Sequence, residues 1–209
     1  MSPSVEPARP LVVVVGPLET NCYLFPADEG LLIVDPGDEP DRIAQACASL
    51  GEPRAILLTH GHPDHTAAAP ALAERFGIPV LAPEADRQWL EGNFDLWGFP
   101  VEPLRCDWQD VSQALPEGLR LLATPGHSPG SVCFLAEGAG FVGDLIFRGS
   151  VGRADLPGSD PAQLMASLRL LVQEVPPDLP LFPGHGPATT IAAELAINPW
   201  LQEALSHSG

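Results

Sequence analysis

Short apolar runs alternate along this chain with glycine- and proline-rich punctuation. Leu11 to Val15, Asn21 to Phe25 and Leu31 to Val34 read as three strands. Asp41 to Leu50 follows a helical period, with Ile43, Ala46, Cys47 and Leu50 on one face and Gly51 as its stop. A strand at Ala55 to Leu58 and an alanine-rich helix from about Ala67 to Phe76 come next. The second half repeats the theme with strands at Leu119 to Ala123, Ser131 to Leu135 and Gly140 to Val142. A helix at Pro161 to Glu174 carries Leu164, Leu168, Leu171 and Val175 along one stripe. A strand at Leu179 to Phe182 and a last helix near Thr190 to Ile197 close the pattern. This alternation predicts layered α/β packing. Between the halves, Glu84 to Pro103 is irregular and holds Trp89, Phe94, Trp97 and Phe99. It fits either a mobile aromatic lid or aromatics that anchor a long connection.

Polar residues depart from ordinary loop composition at Thr59 to His65, which reads T-H-G-H-P-D-H directly after an apolar strand. Each imidazole has two nitrogens that need partners, so three in one short loop are hard to explain as packing. Neutral imidazole is also the commonest metal ligand. Two more histidines stand at strand ends, His127 in T-P-G-H-S-P-G and His185 in F-P-G-H-G-P, and only His207 looks incidental. The loops therefore predict a metal site. Asp35, in D-P-G after the third strand, and Thr59 are either partners that orient imidazoles or plain turn and capping residues.

Composition narrows the function. The chain has 209 residues, 45% of them hydrophobic, enough for one domain or two fused halves on a common core. Leu11 to Val15 is far too short to cross a bilayer, and Met1 to Pro10 lacks a signal-peptide pattern, so a cytoplasmic location without a membrane partner is expected. Cys22, Cys47, Cys106 and Cys133 are scattered and read as reduced thiols, mostly in the core. A formal net charge of −17 argues against a nucleic-acid partner. It also requires local positive charge wherever an anionic substrate docks.

H-G-H-P-D-H resembles the HxHxDH signature of the metallo-β-lactamase superfamily, and G-H-S-P-G, G-D at Asp144 and G-H-G follow in that family's order. The resemblance runs from the strands near Leu11 to Asn198-Pro199-Trp200. It implies a single domain, residues 1 to 209, built as a four-layer αββα sandwich with the site at the edge between two sheets. His60, His62 and His127 would hold one metal, Asp64, His65 and His185 a second, and Asp144 would bridge them. Two divalent ions are implied, zinc first, with iron or manganese as alternatives. A bridging hydroxide would be the nucleophile, with Asp64 both binding metal and orienting it.

Gly143 to Arg153, G-D-L-I-F-R-G-S-V-G-R, resembles the corresponding segment of glyoxalase II-type hydroxyacylglutathione hydrolases, in which a basic residue at the position of Arg153 contacts glutathione. Tyr23 and Arg148 are further substrate-side candidates, and Arg153 alternatively pairs with an acidic neighbour. The ending, G-H-G-P-A-T-T-I, Glu194 and N-P-W-L, is similar to short members of that group, without the helical domain of the longer enzymes. The implied activity is hydrolysis of S-acyl thioesters such as S-lactoylglutathione, a small-molecule partner. A thiol leaving group suits a site with no dedicated general acid. Competing readings are a mononuclear-iron persulfide dioxygenase-like enzyme on His60, His127 and Asp144, supported by G-R-x-D at Gly152 to Asp155, and a non-catalytic metal-binding module. Lactone or β-lactam hydrolysis would use the same metals.

Overall fold

A computed structural model describes residues 9–92, 95–96 and 99–206. The first half contains β1 (Leu11–Val15), β2 (Thr20–Ala27), β3 (Gly30–Val34), α1 (Pro40–Cys47), β4 (Pro53–Leu57), α2 (Pro63–Thr66), α3 (Ala69–Phe76), β5 (Val80–Ala82) and α4 (Arg87–Leu90). A short antiparallel pair, β6 (Asp95–Leu96) and β7 (Phe99–Pro100), and then β8 (Gln109–Asp110) follow. The second half contains β9 (Arg120–Ala123), β10 (Val132–Ala136), β11 (Ala139–Gly143), the hairpin β12 (Ile146–Phe147) and β13 (Ser150–Val151), α5 (Pro161–Glu174), β14 (Leu181–Pro183), α6 (Ile191–Ile197) and α7 (Pro199–Ser206).

The strands form two main sheets, ordered β1-β2-β3-β4-β5-β8 and β14-β11-β10-β9. In the first, β1 to β3 are antiparallel, and β4, β5 and β8 continue parallel to β3. In the second, β9 to β11 are antiparallel and β14 pairs parallel with β11.

Period-two alternation explains why these strands read as unbroken apolar runs: both faces are buried. Cys22, Leu24, Leu31, Ile33 and Ile56 pack against Ile43 of α1 and Leu72 of α3. Tyr23, Phe25, Leu32, Val34 and Leu57, one residue out of phase, meet Val132, Phe134 and Phe141 of the other sheet. Cys133, Leu135 and Val142 face away again, onto Leu164, Leu168 and Leu171 of α5 and Leu201 of α7. Three apolar seams between four layers make the αββα sandwich.

The expected elements recur with shifted ends, and three differences have local causes. Pro63 starts an additional one-turn helix, α2, inside the loop, and the helix expected from about Ala67 begins after it at Ala69 as α3. Strands β5, β8, β12 and β13 have three residues or fewer, too few for a periodic signal. The chain does not close at Ile197: Asn198 Oδ1 accepts from the Trp200 and Leu201 amides, 3.1 and 3.3 Å away, and so caps a further helix, α7, whose first residue is Pro199.

Every segment carrying a site residue leaves the C-terminal end of a strand: Asp35 after β3, Thr59 to His65 after β4, His127 after β9, Asp144 after β11 and His185 after β14. These strands run the same way within each sheet, so their ends share one rim, where α/β folds place ligands. The rim is tied across the sheets by backbone hydrogen bonds from Val132 to the Thr59 carbonyl, 2.9 Å, and from Asn21 to the Gly184 carbonyl, 2.7 Å.

Candidate metal centre

The seven histidines and aspartates singled out in the sequence meet at this rim. Ligand atoms of His60, His62 and His127 lie within 4.8 Å of one another, and so do those of Asp64, His65 and His185. Asp144 stands between the two groups: Oδ2 is 3.4 Å from His127 Nε2 and 3.6 Å from His185 Nε2, while Oδ1 is 3.4 Å from His65 Nε2. His207 lies outside the described residues.

Proton counting fixes which nitrogen of each ring faces inward. A carbonyl or carboxylate only accepts, so His127 Nδ1 donates to the Arg153 carbonyl (2.8 Å), His185 Nδ1 to the Leu18 carbonyl (3.0 Å) and His65 Nδ1 to Asp35 Oδ2 (3.0 Å). The single Thr59 hydroxyl proton goes to Asp35 Oδ2 at 2.6 Å, so at its 3.0 Å contact with Thr59 Oγ1, His60 Nδ1 is the donor. The Nε2 atoms of His60, His65, His127 and His185 are thereby turned inward. The Nε2 atoms of His60, His62, His65 and His127, together with Asp144 Oδ1, are buried and lack a hydrogen-bond partner. Orphaned buried polar atoms are costly, and divalent cations held by these two groups would satisfy them. The residues fit the metal that the sequence implies.

Electrostatics agree with that fit. Burial, reinforced by the neighbouring rings, pushes His60 and His62 well below the ordinary imidazole range, leaving both in the neutral form that binds metal. Burial alone would raise Asp64, but His65 and His185 outweigh it and hold the carboxyl well below its ordinary value. Burial would lower His65, but Asp144, Asp64 and Asp35 carry it up to about 10. A cation held beside His65 would take the place of that proton.

Asp35 and Thr59 both stand behind imidazoles. Asp35 also accepts from the Thr59 amide at 2.7 Å, and it holds a left-handed φ of 51°, strain of the kind kept where the surroundings over-determine a residue. The substrate-side candidates divide. Arg153 lines a cleft of about 410 Å³ together with Leu18, Trp89, Phe147, Val151 and Leu156, over His62, Asp64, His127, Asp144 and His185. Its Nε and Nη2 also pair with Asp155, at 2.8 and 2.9 Å. Arg148 is exposed and does not line this cleft. Tyr23 is placed otherwise than expected: it is 4% exposed, and its hydroxyl donates to the Pro183 carbonyl at 2.6 Å, which supports the His185 loop from behind. Of the aromatics in the irregular segment, Trp89 is buried with its ring centroid 4.1 Å from that of His62, an anchor and not a lid. Phe94 and Trp97 lie outside the described residues.

Sequence reasoning missed three supports. The Thr20 hydroxyl donates to Asp64 Oδ2 at 3.3 Å. Buried Glu194 accepts from the Gly149 amide at 2.7 Å, and Asn198 donates to the Ser150 carbonyl at 2.9 Å, which together clamp the β12–β13 hairpin that carries Phe147 and Val151. Buried Asp86 ties two ligand loops together. Thr20 at the start of a strand, Glu194 inside a short helix and Asp86 at the end of a 3-10 turn of helix carry no local signal of such roles.

The model of the metallo-β-lactamase superfamily matches residues 15–185, a span that includes all seven converging residues. The chain belongs to that superfamily. It is 36% identical over 199 residues to the probable metallo-hydrolase YqgX of Bacillus subtilis, covering 90% of this chain and 94% of that protein. It is 31% identical to the hydroxyacylglutathione hydrolase GloC of Haemophilus influenzae, covering 91% and 96%. Among solved structures, TTHA1623 in a di-iron-bound form aligns with a TM-score of 0.82 at 40% identity, covering 91% of this chain and 99% of that one. Among the described residues no helix is long and apolar enough to cross a membrane.

Proposed function

We propose that the chain is a dinuclear metal-dependent hydrolase of S-acyl thioesters, of the S-lactoylglutathione kind, with one ion among His60, His62 and His127, a second among Asp64, His65 and His185, and Asp144 between them. The observation that carries the reading is the meeting of two ligand groups, His60, His62 and His127 beside Asp64, His65 and His185, with Asp144 between them, next to an apolar cleft with Arg153 on its wall. Imidazole suits zinc and iron alike, and the di-iron form of TTHA1623 supports keeping iron beside zinc. The hydroxyacylglutathione hydrolase among the relatives supports the thioester class. Four free cysteines, three of them buried, support a reducing, cytoplasmic setting.

When bound, the ions supply the Lewis acidity that brings the pKa of water toward 7 and polarises a carbonyl. The protein supplies orientation. Asp64, with its side chain 26% exposed to the cleft, holds an attacking water through its carboxylate, which the Thr20 hydroxyl keeps in place. Leu18, Trp89, Phe147, Val151 and Leu156 enclose the acyl group and exclude bulk water. The guanidinium of Arg153 faces the anionic end of the thiol part. An alkyl thiol, with a pKa near 8.5, leaves as thiolate, so no side chain need protonate it.

The deciding experiment is thiol release from S-lactoylglutathione by purified protein reloaded with zinc, iron or manganese. Thiol release with near two metals per chain supports the proposal. Oxygen uptake with one iron and no thiol release overturns it in favour of a dioxygenase using His60, His127 and Asp144.

A further inference from the structure

Behind the three-histidine half of the centre lies a carboxylate that the proposed chemistry does not use. Asp86 is fully buried between two ligand loops. Its Oδ2 accepts from the Gly61 amide at 2.8 Å and the Ser128 hydroxyl at 2.6 Å, and its Oδ1 accepts from the Gly130 amide at 2.6 Å. Gly61 separates His60 from His62, and Ser128 follows His127 directly. Both glycines press on Asp86: a Cβ at Gly61 would stand 3.0 Å from the Asp86 Cβ, and one at Gly130 would stand 2.8 Å from Oδ1. Three residues further on, Trp89 lies against the His62 ring. The other half of the centre has separate supports, Asp35 on His65, Thr20 on Asp64 and the Leu18 carbonyl on His185.

We propose that Asp86 is a positioning residue for the His60, His62 and His127 site, holding the two loops that carry these imidazoles at the spacing one cation requires. The inference rests on the reading of this cluster as a metal centre. The chemistry demands a carboxylate, because a buried group that takes two backbone amides and a hydroxyl at once must accept through both of its oxygens. An asparagine has one accepting oxygen and sets its amide against a donor on the other side, so Asp86→Asn loses at least one of the three contacts and replaces it with a donor facing a donor. Ser128→Ala removes a single donor and keeps both backbone amides. Metal partners of this outer kind typically change affinity by about 10- to 100-fold when lost.

The test is titration of metal-free protein with zinc against a chromophoric chelator, resolving two binding steps, alongside thermal unfolding of the metal-free variants. Asp86→Asn is expected to weaken one step by about 10- to 100-fold and to leave the other within about twofold. Ser128→Ala is expected to weaken the same step by a smaller factor, with metal-free unfolding unchanged. Wild-type protein that takes up no zinc overturns the metal centre itself. Two wild-type steps that Asp86→Asn leaves untouched, or lowers equally, overturn the role of Asp86 alone. Should Asp86→Asn not fold, Ser128→Ala decides, and equal zinc affinities in that variant and the wild type overturn the proposal.

Discussion

The Nδ1–H of His127 donates to the backbone carbonyl of Arg153 across 2.8 Å. One residue therefore orients a site imidazole with its main chain and lines the cleft wall with its side chain. This separates two functions that an alanine substitution can tell apart. Arg153→Ala keeps the carbonyl, so metal content is expected to stay at the wild-type level while KM for an anionic thioester rises by about three- to tenfold, the effect of one charged contact at a half-exposed site. Gly152→Ala, one residue earlier, would place a Cβ 1.8 Å from the Asp144 carbonyl and 3.1 Å from His127 Nδ1. That variant is expected to lose metal, as read by elemental analysis.

Asp155 holds the Arg153 fork by two contacts and so competes with any substrate carboxylate. Asp155→Ala is expected to lower KM for S-lactoylglutathione by about two- to fivefold at low salt, with kcat unchanged, and the gain should shrink as salt screens the exposed charge. A KM that is unchanged at low ionic strength would show that Arg153 does not meet an anionic group.

Metal removal should destabilise as well as inactivate. Five buried polar atoms lose their proposed partner on chelation. Readdition at about a thousand times Kd stabilises the fold by roughly 4 kcal/mol. For a chain of this size that raises Tm by about 8 to 16 °C. Calorimetry with and without zinc, iron or manganese checks this, and identical Tm values would argue that no ion binds.

The core thiols set an alkaline limit on stability. Burial pushes the Cys133 thiol from 9.0 up to about 12, and Cys47 rises to about 11 for the same reason. Between pH 9 and 12 the unfolded chain gives up the Cys133 proton while the folded chain keeps it, so the unfolded state binds fewer protons and stability falls as pH rises. For Cys133 alone the loss is roughly 4 kcal/mol across that window. Urea unfolding of Cys133→Ala should show a flatter alkaline limb than the wild type, from a lower starting stability.

Much of the frame was legible beforehand because its physics is local. Burial on both faces writes unbroken apolar runs such as Leu31 to Val34, and an amphipathic stripe writes α5. The helix after Asn198 is equally local in origin, since Asn-Pro is a helix-start signal, but it carries too short an apolar stripe to stand out from the ending N-P-W-L. Strands such as β8 lay beyond reach, since two residues carry no period and their pairing comes entirely from a neighbour.

At the centre the division follows the same rule. The sequence by itself determined the inventory: five imidazoles and two carboxylates at strand ends, types hard to reconcile with packing. Only the tertiary structure decided what stands behind each ring. Two of those partners are the Leu18 and Arg153 carbonyls, groups that every residue possesses and that no residue type advertises. It also turned Tyr23 to the Pro183 carbonyl and set Asp86 between two loops. Such choices depend on approach across 25 to 167 residues of chain, and spacing along the backbone holds no record of those distances.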